Sequence, residues 1–285
     1  MLKIPSERPP TPPSPESHER LFSVSTVQLD GERETQQDRS STVWMNVDGQ
    51  RVLGVFVADG HGKDGGSAAD AAINACIAYA KTAKELNPAI LKQLFTEAQT
   101  DVSRVTRQGG STLTAAFVFP DRVLTAWVGN GEARMVSRDG TIRTLTVPHE
   151  YGAHPGEAKR IADAGVVTVP ATFFFADAPP NQQYLANGNI LLEVTRSLGD
   201  PEMGEHILHE PEIVTEPLNP NDRFLIVASD GLWQELRDSA RMTLLERACK
   251  KPDATDRDVG AHIEHAFSFK KSADNLTAVV VGLKR

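Results

Sequence analysis

Cysteine is scarce in this chain, and its two cysteines are not arranged for metal binding or for a disulfide framework. Cys76 and Cys249 are the only ones among 285 residues, and neither belongs to a CxxC or Cys/His motif. The sequence therefore indicates neither a zinc-binding module nor a small disulfide-stabilised secreted domain. We expect the protein to work in a reducing compartment.

Long apolar runs and basic blocks are missing as well. No run approaches the roughly 18–20 apolar residues that span a bilayer, and the N-terminus lacks the apolar stretch of a secretory signal. Acidic residues outnumber basic ones by 38 to 30, which gives a formal charge of −8, and no basic block is long enough to follow a phosphate backbone. We expect a cytoplasmic protein that binds neither membranes nor nucleic acid.

Residues 1–20 differ from the rest of the chain in their proline content. Six prolines lie between positions 5 and 15, and proline fixes φ and lacks a backbone donor, so extended conformations are favoured. We predict a disordered proline-rich tail over 1–20 and a single domain over 21–285. A PxxP-type ligand for another protein is the alternative interpretation of the tail.

Short runs of apolar and β-branched residues recur after the tail and predict strands. They cover 22–28, 40–46, 52–58, 112–119, 122–128, 132–137, 141–146, 190–194, 223–229 and 276–283. Helical spacing predicts helices over 66–86, after the cap residue Asn87, and near 233–249 and 255–268. Because strands and helices cluster rather than alternate, the pattern indicates an α+β fold.

Residues 147–189 break this pattern. The segment contains five prolines around an amphipathic piece, Glu157 to Ala164, and an apolar run, Phe173 to Phe175. Two interpretations are equally open. The segment is either a flap, or an irregular loop whose three phenylalanines reach into the core.

Aspartates lie at the ends of the most apolar strands. VLGVFVADG ends at Asp59-Gly60, RFLIVASDG ends at Asp230-Gly231, Asp38 precedes the second predicted strand, and Asp274 precedes the last. One such residue alone is more often a turn residue or a helix cap. Four of them at strand ends indicate a shared cluster of oxygen ligands, of the kind that favours Mg²⁺ or Mn²⁺.

Residues 60–65 also match GxGxxG between a strand and a helix, which is the pattern of a dinucleotide-binding turn. Asp59 would place a carboxylate beside the pyrophosphate, and no second parallel strand ends in an acidic residue about 20 residues later. We therefore reject this interpretation.

Seven short motifs together resemble the metal-dependent protein phosphatases of the type-2C family, in family order over residues 21–285. They are R-x4-D at Arg33 and Asp38, DGHG at 59–62, GGST at 109–112, AWVGNGEAR at 126–134, TRSLGD at 195–200, SDGLW at 229–233 and DN-x-T at 274–277. The resemblance implies a four-layer α-β-β-α sandwich of two antiparallel sheets flanked by paired antiparallel helices. It also implies hydrolysis of phosphoserine and phosphothreonine in proteins by a water that two metal ions activate, in a monomeric enzyme.

The resemblance implies a role for each aspartate. Asp59 would bridge two Mg²⁺ or Mn²⁺ ions, the Gly60 carbonyl would bind one ion, Asp230 and Asp274 would bind the other, and Asp38 would act through bound water.

Three further residues match positions around that centre. Arg33 matches the phosphate-binding arginine, His61 matches the residue that protonates the leaving alcohol, and Asn275 would support the loop that carries Asp274.

Three positions depart from the family pattern. Gln37 stands where glutamate is common, Glu132 replaces an aspartate of a GDSR-like turn, and Gln234 replaces an aspartate that follows DGLW. The last two changes affect a weak third metal site, so we expect a reduced rate or a high metal requirement. A weak or inactive pseudophosphatase that acts as a regulatory binding module is the alternative function.

Overall fold

Two antiparallel sheets packed face to face form the centre of the fold. The computed structural model describes residues 22–174, 178–269 and 272–284, so the predicted tail over 1–20 lies outside the described residues. The strands are β1 Phe22–Leu29, β2 Asp38–Val47, β3 Gln50–His61, β4 Gly110–Ser111, β5 Leu113–Val118, β6 Arg122–Val128, β7 Glu132–Ser137, β8 Ile142–Thr144, β9 Thr168–Pro170, β10 Gln183–Asn187, β11 Ile190–Leu192, β12 Leu198–Gly199, β13 Glu212–Pro217, β14 Asp222–Ala228 and β15 Leu276–Leu283.

The first sheet has the order β12-β4-β3-β5-β6-β13, with β2 also paired to β3, and the second has the order β1-β15-β14-β7-β8. Strands β9, β10 and β11 form a third, small sheet in the order β11-β10-β9. The helices are α1 Gly65–Thr82, α2 Pro88–Val105, α3 Pro155–Asp163, α4 Asp230–Glu235, α5 Ser239–Lys250 and α6 Asp256–Phe269.

Alternating side chains of the central strands build the layers, because successive residues of a strand point to opposite faces. In β3, Leu53, Val55 and Val57 pack between the two sheets, whereas Phe56 and Ala58 pack against α1 and α2. The second sheet alternates in the same way between the sheet interface and a layer formed by α5 and α6. The predicted four-layer α+β sandwich is confirmed.

Helix boundaries agree with the sequence at one predicted site and differ at another. The Asn87 side chain accepts the backbone N–H of Ile90 at 3.0 Å, so α2 starts where the cap residue predicts. The single helix predicted near 233–249 is wrong, since α4 ends at Glu235 and α5 starts at Ser239. Asp238 causes the break by accepting the N–H of Ala240 at 2.9 Å as a new cap.

The segment over 147–189 contains α3, β9 and β10, and with β11 it forms a small unit with its own apolar core of Ile161, Leu185, Leu192, Val194, Met203 and Ile207. Phe173 and Phe174 are 79% and 46% exposed. The interpretation that they reach into the core is therefore wrong for these two residues, and Phe175 lies outside the described residues.

Strands β4, β9, β10, β12 and β13 were not predicted, because they are short or lie at a sheet edge and lack a continuous apolar run. Among the helices in the described ranges, none has both the length and the apolar character needed to cross a membrane.

Arg223 in β14 holds the connection between α5 and α6 in place. Its guanidinium is buried and donates to the carbonyl oxygens of Cys249, Lys251, Pro252 and Ala254, at 3.0, 2.5, 2.8 and 2.8 Å. We predict that Arg223→Met lowers the free energy of unfolding by about 3 kcal/mol or more, because it removes the buried donor that these four carbonyls share.

Urea denaturation measures this effect. Arg104→Met is the control, since Arg104 is an exposed helix residue with a single ion pair to Asp101, and its loss should cost less than about 1 kcal/mol. If the two variants lose equal amounts of unfolding free energy, the proposed role of Arg223 is wrong.

Glu157 connects α3 to the chain that follows the small sheet. Its carboxylate is 2% exposed and accepts hydrogen bonds from Arg160 and Arg196 at 2.7 Å each. Burial alone would raise the pKa of Glu157, but the two arginines outweigh it and lower this pKa to about 2.

We predict that Glu157→Gln is less stable than the unmodified protein at neutral pH, by about 3 kcal/mol. A lowered pKa stabilises the fold above the unfolded pKa, so the difference should shrink as pH falls from about 4.5 towards 2. Urea denaturation at several pH values checks this, with Asp163→Asn, which removes an exposed ion pair, as the control. A difference that does not vary with pH would contradict the prediction.

Candidate active site

The first two aspartates lie side by side because β2 and β3 are paired. Asp38 is the first residue of β2 and is the cross-strand partner of Asp59 near the end of β3. Asp38 is fully buried, and its charge raises the pKa of the neighbouring Asp59. Antiparallel pairing therefore brings together two residues that are 21 positions apart in the sequence.

The other two aspartates come from the second sheet. Asp230 follows β14, and Asp274 precedes β15, the strand paired with β14. Asp230 and Asp59 line the same cavity, and the charge of Asp230 raises the pKa of Asp59. Ser229 joins the two sheets here, since its hydroxyl donates to Asp38 at 2.8 Å and accepts the N–H of Thr277 at 3.0 Å.

Crowding of buried carboxylates perturbs the acidity of the cluster. Burial and the charges of Asp38 and Asp230 raise the pKa of Asp59 well above its usual range. Burial and the charge of Glu193 likewise raise the pKa of Asp230. Burial raises the pKa of Asp38 to about 6, although the Ser229 hydroxyl hydrogen-bonds to its charged form.

The cluster has the properties of a cation site. Among the described residues, Asp38 Oδ1 and Asp230 Oδ1 are buried atoms without a hydrogen-bond partner, and buried polar atoms are normally paired. Hard carboxylate oxygens are the ligands that Mg²⁺ and Mn²⁺ prefer. A divalent cation would satisfy these oxygens and offset the repulsion among the carboxylates.

The carboxylates open into a cavity of about 490 Å³. Besides Asp59, Asp230 and Asp274, its walls include side chains from the small sheet and the residues next to it, namely Tyr184, Leu191, Leu192, Glu193 and Val194. Burial and the charge of Glu150 raise the pKa of Glu193 to about 7. The small sheet thus supplies one wall of the cavity.

Gly60 must be glycine for this site to form. A Cβ atom at Gly60 would lie 2.1 Å from the carbonyl oxygen of Gly65, at the start of α1. The backbone N–H of Gly60 donates to the Gln37 carbonyl at 3.2 Å. Close contact between β3 and α1 therefore exposes backbone, rather than a side chain, beside Asp59.

His61 lines the cavity and is held by a carboxylate that the sequence analysis did not assign. Its Nε2 lies 2.9 and 2.8 Å from the two carboxylate oxygens of Asp200. Asp200 is 4% exposed, has a left-handed backbone with φ of 52°, and also accepts the hydroxyl of Ser197. Asp200 thereby fixes the orientation of the His61 ring.

Arg33, Gln37 and Asn275 surround Asp274 at the cavity mouth. Arg33 is exposed, and its Nη2 pairs with Asp274 Oδ2 at 2.8 Å. Asn275 donates its backbone N–H to Asp274 Oδ1 at 2.8 Å and its side-chain N–H to the Asp30 carbonyl at 2.9 Å. Its side-chain oxygen accepts the N–H of Gln37 at 2.9 Å.

Glu132 and Gln234 are not among the described residues that line the cavity. Arg134 binds both carboxylate oxygens of Glu132, at 2.7 and 3.0 Å. The Gln234 amide donates to Asp230 at 2.6 Å. Between β6 and β7, the residue that lines the cavity is Asn130. Asn130 is buried, and its side-chain amide donates to Asp230 at 2.9 Å and to Glu150 at 3.1 Å.

A second group of possible metal ligands, His149, His154 and Glu212, has ligand atoms within 4.8 Å of one another. His149 Nδ1 accepts the backbone N–H of Gly129 at 3.2 Å. In a neutral imidazole the proton then lies on Nε2, where a metal would need a lone pair, and burial lowers the pKa of His149 and keeps it neutral. The group fits hydrogen bonding to Glu212, which His154 contacts at 3.1 Å, better than it fits a metal.

Sequence reasoning missed Asn130, Asp200, Tyr184 and Glu193. The first two lie inside recognised motifs, AWVGNGEAR and TRSLGD, so those motifs were the available signal. Tyr184 and Glu193 lie in or beside the small sheet, and no pattern in the sequence distinguishes them.

A family model described as Protein phosphatase 2C matches residues 26–262. The chain is 27% identical over 269 residues to Probable protein phosphatase 2C 11 of Arabidopsis thaliana, covering 91% of this chain and 66% of that protein. It is 28% identical over 269 residues to Probable protein phosphatase 2C 71 of the same plant, covering 91% of this chain and 55% of that protein. The chain thus spans less than two thirds of either relative.

A solved structure shares this fold at lower sequence identity. Serine-threonine phosphatase 2C from Toxoplasma gondii superposes with a TM-score of 0.72 at 18% identity, covering 92% of this chain and 95% of that one. The match of the family model to most of the chain decides the relationship. The chain belongs to the protein phosphatase 2C family.

Proposed function

We propose that this protein hydrolyses phosphoserine and phosphothreonine in other proteins, with Mg²⁺ or Mn²⁺ as the cofactor. The observation that carries the proposal is the convergence of Asp59, Asp230 and Asp274 on one cavity, with Asp38 paired to Asp59 across the strands and with unpaired buried oxygens on Asp38 and Asp230. Membership in the protein phosphatase 2C family, which is metal-dependent, supports it.

Asp59, Asp230, Asp274 and the Gly60 carbonyl would hold two ions, with Asp38 behind them. Ions bound here would partly neutralise the phosphate and would acidify a water for attack on phosphorus. The family resemblance also predicts a weakly bound third ion. Beside Asp230, the side chains nearest to such an ion include the neutral amides of Asn130 and Gln234, which both donate to Asp230. Because amides bind cations less strongly than carboxylates do, we expect this third site to be weak.

Two further side chains would act on the substrate. Arg33 lies at the cavity mouth, where its guanidinium exchanges Asp274 for the incoming phosphate. His61, oriented by Asp200, donates a proton to the leaving oxygen of serine or threonine. Neither step uses a cysteine or serine nucleophile, and Cys76 and Cys249 are both buried.

We predict that Mn²⁺ raises the melting temperature of the unmodified protein and that Asp59→Asn abolishes this rise. When a chelator removes metal ions, the melting temperature of Asp59→Asn should be no lower than that of the unmodified protein, because the substitution removes repulsion from a crowded carboxylate cluster. Its turnover of an aryl phosphate should fall at least about 10²-fold. Thermal melts with and without Mn²⁺, and steady-state rates, measure these effects.

Asp70→Asn is the control, since Asp70 is an exposed helix residue paired with Arg39. A Mn²⁺-dependent rise that persists in Asp59→Asn would contradict the assigned ligand. Stabilisation of the unmodified protein by Mn²⁺ without any turnover would instead favour the alternative of a pseudophosphatase that acts as a binding module.

We predict that Asp200→Asn slows hydrolysis of a phosphoserine peptide about 10²-fold while changing aryl phosphate hydrolysis less than about threefold. A serine alkoxide needs a proton from His61 as it leaves, whereas a nitrophenolate does not, so loss of the orienting carboxylate affects only the first substrate. Rates for both substrates in one preparation cancel any loss of folded protein. Equal reductions for both would show that Asp200 is structural only.

A further inference from the structure

A groove continues from the catalytic cavity on the side of His61. It has a volume of about 340 Å³ and shares His61, Gly62, Leu191 and Leu192 with the cavity. The two spaces adjoin at these shared residues, so a substrate bound in the cavity can reach the groove.

One wall of the groove is aliphatic. Ile190, Leu191 and Leu192 of β11 line it, and the first two are 38% and 40% exposed. Leu192 is 8% exposed and anchors the strand in the small core. Exposed aliphatic side chains next to a polar cavity form an apolar surface that a ligand can bury.

The rest of the groove lining is polar or backbone. The side chains of Lys63, Gln108, Asp200 and Glu202 line it together with Gly62 and Gly109. Gly109 has φ of +113°, and a Cβ atom there would lie 2.1 Å from the His61 carbonyl oxygen, so this part of the wall is backbone. The strand β11 is therefore the aliphatic side of the groove.

The chemistry of phosphate ester hydrolysis tells which part of a substrate enters the groove. The proton donor must lie within hydrogen-bonding reach of the leaving oxygen, which belongs to the serine or threonine side chain. With phosphorus at the aspartates, the peptide chain of the substrate must lie on the His61 side. The groove begins at that point.

We propose that the groove binds an apolar side chain of the substrate, within two positions of the phosphorylated residue. This inference rests on the proposed phosphatase function and specifies its substrate class. Phosphoproteins with leucine, isoleucine or valine near the phosphorylated site are preferred over those with polar residues there.

The test uses two phosphothreonine peptides of equal charge. One has leucine and the other glutamine at the two positions on each side of phosphothreonine. We expect kcat/KM to be about tenfold higher for the leucine peptide. In Ile190→Ser this ratio should fall towards one, because Ile190 lines the groove but not the cavity.

Val167→Ser is the matched control, since Val167 is a 64% exposed aliphatic residue before β9 that does not line the groove. A ratio near one in the unmodified protein, or an equal fall in both variants, would overturn the inference.

Turnover of an aryl phosphate separates this inference from the function on which it rests. If the protein hydrolyses an aryl phosphate but its kcat/KM is equal for the leucine and glutamine peptides, only the inference about the groove is wrong. If nothing is hydrolysed, the proposed function fails, and fluorescence anisotropy of the two peptides then decides the groove: equal affinities overturn it.

Discussion

Repulsion among buried carboxylates is the constraint on which the site depends. Asp38, Asp59 and Asp230 come together at the ends of their strands, although burial and nearby charge raise the pKa of each. A fold selected only for stability would replace some of them, because an unpaired buried carboxylate is costly. Keeping them together is favourable when a divalent cation completes the cluster. The sandwich can therefore be understood as a rigid frame that holds like charges closer than they would otherwise stay.

The aspartates meet because strands of both sheets end at the same edge of the sandwich. Asp38 and Asp59 come from paired strands of the first sheet, and Asp230 and Asp274 flank paired strands of the second. The hydroxyl of Ser229 connects the two sheets at this point. Every carboxylate is thus tied to a strand whose other residues pack in the core, and rigid elements position ligands more precisely than loops do.

The sequence analysis predicted the parts of this arrangement that follow from strand periodicity. Apolar runs predicted the strands, and aspartates at their ends predicted the cluster. What it missed depends on side-chain direction and on tertiary contacts. In the chain between β6 and β7, Asn130 lines the cavity, whereas Glu132, the first residue of β7, is bound by Arg134. The pairing of Asp200 with His61 joins residues 139 positions apart, and no local pattern indicates that contact.

The small sheet borders both the cavity and the groove. The same strand, β11, lines the cavity with Leu191 and Leu192 and the groove with Ile190. Its position depends on Glu157, which binds arginines on both α3 and the chain after β11. The aspartates of the cluster are carried by the sandwich, although the charge of Glu193, next to β11, raises the pKa of Asp230. Changes at the aliphatic residues of β11 should therefore alter which phosphoproteins bind without altering the proposed metal ligands, because the two sets of residues lie on different elements of the fold.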